Sequence, residues 1–125
     1  MIYGLLTLTK RAAASRFFTP ISTLRITALG ALLRFCNLAN PQLLVFVETY
    51  YVKDAYTLGL FGHEKQWPDG ANPAFESGDL ADYLQDGAYV VHPPIGKWII
   101  WLGMQLFGAD SSFGWRFSVA LLGTL

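Results

Sequence analysis

A chain of 125 residues with 53% hydrophobic, 15% aromatic and 14% charged residues carries longer apolar stretches than one small soluble core needs, and points toward a membrane. Its formal net charge is zero, and no basic stripe interleaved with aromatics is present, so nucleic acid is not an expected partner. Cys36 is the only cysteine, which rules out an intrachain disulfide and a thiolate metal cluster; His63 and His92 sit in unlike local sequence, and no structural metal or cofactor is expected.

The zero net charge hides an asymmetry. Residues 1–47 hold Lys10, Arg11, Arg16, Arg25 and Arg34 and no acid, whereas residues 48–96 hold eight acids against Lys53 and Lys65. Basic flanks favour the cytoplasmic side of a membrane, so residues 1–19 are expected as a cytoplasmic tail and the acidic segment as extracytoplasmic. Met1 to Leu8 is apolar but precedes its basic residues, the reverse of a signal peptide.

Thr19-Pro20 is a good helix start, and residues 20–37 form the first expected transmembrane helix, ending at Asn37 to Pro41. The apolar part, Ile21 to Cys36, reaches ~25 Å at ~1.5 Å per residue, just short of a ~30 Å hydrocarbon layer. Arg25 lies near the cytoplasmic end, within reach of the headgroups. Arg34 near the outer end either snorkels to the headgroups or faces a bundle interior and meets an anionic ligand.

Leu43 to Val47 is a short apolar run, after which Glu48 opens a helix to about Leu60 with a carboxylate in its first turn, where the helix dipole favours it. Pro68-Asp69-Gly70, Asn72-Pro73, Ser77-Gly78 and Asp86-Gly87 mark residues 66–87 as a loop too long for a plain connector. Ala88 to His92 is a brief extended run stopped by Pro93-Pro94, and His92 is biased away from helix by the following proline. Trp98 to Phe107 is apolar all round except Gln105 but too short to cross, and is expected as an interfacial or re-entrant helix inside an extracytoplasmic loop of residues 38–112. Residues 113–125 are then the truncated start of a second transmembrane helix, and the whole is expected to be the N-terminal piece of a longer membrane protein.

Three unlike blocks occur in order: Phe46-Val47-Glu48-Thr49-Tyr50-Tyr51-Val52-Lys53-Asp54-Ala55, Tyr89-Val90-Val91-His92-Pro93-Pro94-Ile95-Gly96-Lys97-Trp98, and Phe113-Gly114-Trp115-Arg116-Phe117-Ser118 running on to Leu125. Over roughly residues 30–125 they resemble the N-terminal region of the protein O-mannosyltransferases, particularly the actinobacterial type. The resemblance implies a mainly α, polytopic membrane protein fragment of GT-C type. It implies transfer of mannose, with inversion, from a polyprenyl-phosphate carrier to Ser or Thr of exported proteins, on the outer face of the cell membrane. The partners it implies are membrane lipid, that lipid-linked donor and an exported protein acceptor.

Such chemistry needs a carboxylate to take the acceptor's proton, and cations or backbone donors for the departing phosphate. By resemblance Arg116 is the expected phosphate-binding residue, while His92 and Lys97 hold the loop or the donor. The family's Phe-Asp-Glu, whose aspartate is regarded as the base, reads Phe46-Val47-Glu48 here, and valine accepts no proton. Glu48 is retained, but adjacent helical residues point ~100° apart. Asp54 shares the helical face of position 47, ~10 Å farther along the axis. Two functions therefore stand open: a membrane mannosyltransferase lacking the expected aspartate, and a non-catalytic copy or partner subunit of the same fold. A soluble globular domain is disfavoured by the membrane signals.

Overall fold

The computed structural model describes residues 20–125; the expected cytoplasmic tail, the reversed signal-peptide pattern and the Thr19 cap lie outside the described residues. The described chain is mainly helical. Helix α1 covers residues 20–35, α2 Glu48–Phe61, α3 Asn72–Glu76, α4 Ile95–Phe107 and α5 Ser112–Leu122. No strand is present among the described residues, and extended pairing is limited to one isolated antiparallel bridge between Lys65 and Gly87.

Helix α1 stops after Phe35 in a turn where Asn37 takes a left-handed φ of 65°, one of the few side chains that tolerates it. Among the described residues no helix is long and apolar enough to cross a membrane. Helix α2 ends where Gly62, at φ 77°, donates its N–H to the Leu58 carbonyl, the left-handed stop that glycine supplies without a Cβ clash.

Two helix starts differ from the sequence reading. Helix α4 begins at Ile95, directly after Pro94, and so takes in Gly96 and Lys97. A proline at a helix start loses no hydrogen bond and already has a helical φ, so Pro93-Pro94 ends the extended run and launches the helix in the same place. At α5, Ser111 caps the helix by accepting the Gly114 N–H; the polar Asp110-Ser111-Ser112 segment is a cap as well as a break.

The long loop is folded on itself. Gln66 donates its N–H to Asp86 and accepts from Leu84, and Ala88 donates to Glu64, so the two ends of residues 64–88 are tied. Its middle, α3, delivers Phe75 into the core, where it is fully buried beside Val52, Ala55, Met104 and Trp115. Aromatic edges complete the packing: Phe75 meets Tyr56 at 5.8 Å and Trp67 at 5.4 Å between ring centroids. Burial of such large side chains is the main stabilising term available to a chain this size.

Helix α4 lies between α2 and α5, and glycines allow both approaches. A Cβ on Gly59 would meet the Trp101 ring at 2.1 Å, and one on Gly103 would meet the Gly114 carbonyl oxygen at 2.2 Å. The second obstacle is backbone and cannot rotate away. Gly103→Ala is expected to push α4 from α5 and lower stability by about 2 kcal/mol. A melting temperature equal to that of the unaltered protein would contradict this packing.

Candidate functional site

The approach to α2 is an irregular segment pinned by one side chain. Arg116, on α5, donates Nε to Glu48 Oε1 at 2.8 Å and Nη2 to Glu48 Oε2 at 2.7 Å. Its remaining N–H groups go to the carbonyls of Leu38 at 3.1 Å, Pro41 at 2.9 Å and Leu43 at 3.0 Å. A guanidinium has five donors, and all five are used. Glu48 is equally committed, since its Oε2 also accepts the Val45 N–H at 3.1 Å.

Phe46, between these anchors, is held at φ 50° and is 91% exposed. A left-handed conformation costs a side-chain-bearing residue ~1–2 kcal/mol. Its carbonyl accepts both the Thr49 N–H and the Thr49 hydroxyl, which together with the Glu48 bonds fixes the bend.

Beyond the bend, Val47, Asp54, His92 and Lys97 all border an open cavity of about 740 Å³. Val47 and Asp54 reach the same wall because seven residues are close to two helical turns. Tyr51 joins the first block to the second: its ring stacks on His92 at 5.6 Å between centroids, 28° between planes. His92 is exposed to the cavity opening.

Lys97 is 3% exposed and bridges two carboxylates, Asp54 Oδ2 at 2.9 Å and Glu64 Oε1 at 3.0 Å. Its ammonium also lies 5.7 Å from the centre of the Tyr51 ring. Burial alone would pull Lys97 down, but the hydrogen bonds it donates to both carboxylates, aided by their charges, hold it above the ordinary lysine value. Burial pushes Asp54 up, against the hydrogen bond and charge of Lys97 and with the charge of Glu64. Burial wins at Asp54 because it shares its one ammonium with a second, more buried acid, Glu64.

The expected site residues therefore fall into two groups. Val47, Asp54, His92 and Lys97 come together at the cavity, whereas Glu48 and Arg116 form a closed pair behind it. Arg116, expected to bind phosphate, has no N–H left for a ligand in this arrangement. Arg34 is exposed and leans along its own helix toward the Gly30 carbonyl at 3.5 Å, close to Gly123 of the α5 end. Glu64, Tyr51, Lys53 and Trp67 were not singled out from the sequence. Glu64 follows the α2 stop signal and nothing local marks it as a partner of Lys97, which is 33 residues away.

A polyprenol-phosphate-mannose–protein mannosyltransferase of Mycolicibacterium smegmatis (strain ATCC 700084 / mc(2)155) is 36% identical over 103 residues, 80% of this chain and 16% of that protein. The resemblance to the mannosyltransferases holds. A protein of the same name from Mycobacterium tuberculosis (strain CDC 1551 / Oshkosh) is 34% identical over 119 residues, 86% of this chain and 19% of its own length. The chain thus spans less than a fifth of these curated mannosyltransferases. No family model matches it, and no solved structure does.

Arg116→Lys is expected to destabilise the fold almost as much as Arg116→Ala, by about 3 kcal/mol, because one ammonium cannot replace a two-pronged fork and three carbonyl contacts. Thermal melting of both variants checks this; full stability of the Lys variant would show that charge alone suffices. For Lys97→Met, two carboxylates lose their shared cation, and a loss of about 3 kcal/mol is expected. The pH dependence follows from the raised Lys97 value: its contribution is complete below the ordinary lysine value of 10.5 and fades as pH rises through the higher folded value. Melting curves from neutral to strongly alkaline pH should show that fade in the unaltered protein and not in Lys97→Met.

Proposed function

We propose that this chain is a portion of a membrane mannosyltransferase that moves mannose from a polyprenyl-phosphate carrier to Ser or Thr of exported proteins. The observation that carries this reading is the cavity, which gathers the first two blocks of the family resemblance, Val47 with Asp54 and His92 with Lys97, around one space. The curated relatives are named for that donor and for a protein acceptor. In this reading α1, too short among the described residues to cross by itself, is part of a membrane-embedded bundle with the N-terminus cytoplasmic, and the cavity opens on the extracytoplasmic side. Outward-facing Leu24, Ile26, Leu29, Leu32 and Leu33 on α1 support it, since an exposed apolar face of that extent suits lipid or further helices.

The residues divide the work as follows. The acceptor hydroxyl lies at the Val47 wall, where the reaction wants a proton acceptor and valine supplies only methyl groups. Glu48 does not step in, because both of its oxygens are bound by Arg116. Asp54 holds Lys97, and through it the start of α4. His92, stacked on Tyr51, offers ring nitrogens at the cavity opening. The phosphate leaves with its charge already present, so it needs a cation more than an acid.

A second reading has its own support: the same two facts, an apolar residue at the expected base position and a fully engaged Glu48, favour a non-catalytic copy or a partner subunit. One substitution separates the two. In the full-length protein Val47→Asp is expected to raise mannosyl transfer to a Ser/Thr peptide by ~100-fold or more, the usual contribution of a placed base. Strong transfer with Val47 in place, abolished by Glu48→Gln, would overturn the non-catalytic reading; no transfer from either Val47 or Asp would overturn the enzymatic one.

A further inference from the structure

Three ammonium groups border the cavity, and they are not equivalent. Lys97 is taken by Asp54 and Glu64. Lys65 donates to Gln85 and lies over the rings of Phe61 and Tyr83. Lys53 is only 8% exposed, yet among the described residues its ammonium has neither a hydrogen bond nor an ion pair. It lies over the Trp67 ring, 5.8 Å from the centroid.

Trp67 borders the same cavity, and its indole N–H is buried with no acceptor. The two acids whose charge reaches Lys53 are occupied elsewhere, Asp54 by Lys97 and Glu76 by the Leu44 N–H at 2.6 Å. Burial consequently pulls Lys53 below the ordinary lysine value, against the charges of Asp54 and Glu76. A buried donor without an acceptor is costly, and the Trp67 indole is one; the Lys53 ammonium beside it has no anionic partner at bonding distance among the described residues, and an incoming oxyanion supplies what both groups lack.

We propose that Lys53, with the Trp67 indole beside it, is the oxyanion-binding element of the cavity and takes a phosphoryl group. Assigning that group to the lipid-linked sugar donor rests on the mannosyltransferase reading; the binding of a phosphoryl oxyanion does not. A phosphoryl group suits the pair because several oxygens around one centre can accept from an ammonium and from a second donor nearby. The role expected for Arg116 from the resemblance passes to Lys53, since Arg116 is bound on all sides within the chain.

The test is a calorimetric titration of the full-length protein with hexyl phosphate and, separately, with inorganic phosphate. Lys53→Met should weaken binding ~10-fold or more, the worth of one charge-assisted hydrogen bond, and Lys53→Arg should retain most of it. Trp67→Phe should produce a smaller loss. A folded Lys53→Met protein that binds both probes as the unaltered protein does overturns the proposal; should that variant not fold, Lys53→Gln carries the same test. Preference for hexyl phosphate identifies a lipid phosphate as the source, and equal binding of inorganic phosphate identifies free phosphate; either supports the site when Lys53 is required. Lys53-dependent binding without mannosyl transfer in Val47→Asp overturns the mannosyltransferase reading and leaves the site standing. Transfer with an unchanged donor KM in Val47→Asp/Lys53→Met overturns the site alone.

Discussion

The guanidinium of Arg116 is the point on which the described chain depends. It ties the carbonyls of Leu38, Pro41 and Leu43 and the carboxylate of Glu48 to α5. Without it the connection from α1 to α2 would have carbonyls pointing at nothing. That connection contains the left-handed Asn37, which tolerates the conformation, and Phe46, which persists there only in fixed surroundings. Because α5 packs on α4 and α4 on α2, the same side chain sets the height at which Val47 meets the cavity.

A second electrostatic centre fixes the other wall. Lys97 begins a helix, where the dipole disfavours a cation, yet it is almost fully buried. Asp54 and Glu64 compensate from α2 and from the segment that follows it. The arrangement holds the His92-Pro93-Pro94 turn against Tyr51. A buried ion network of this kind contributes position more than net stability, since desolvation cancels much of the attraction.

These two centres leave a cavity whose chemistry is unusual for the transfer suggested by its relatives. Asp54 and Glu64 are paired with Lys97 and Glu76 accepts the Leu44 N–H, while Asp69 also borders the cavity and the Val47 wall is apolar. Lys53 and the indole N–H of Trp67 are donors there without an acceptor among the described residues. Two such donors side by side suit an anionic group.

Much of this was legible in the chain itself. Breakers and apolar runs located α1, α2, α4 and α5 to within a few residues, because capping, proline geometry and glycine stops act locally, but the short α3 lies inside the stretch read as a loop. The order of the three blocks pointed to the mannosyltransferases, and the absence of an acid at Val47 needs no coordinates. The pairings did not follow from sequence. The resemblance marked Arg116 as a phosphate ligand and Glu48 as the retained acid of the first block; only folding, which brings residues 68 positions apart to 2.7 Å, made them each other's partner. Lys97, Asp54 and Glu64 were settled in the same way, and Lys53 stands out only once its neighbours are seen to be occupied. Local sequence determines which charges exist and which segments are helical; tertiary packing decides which charges are already neutralised, and therefore which are left for a ligand.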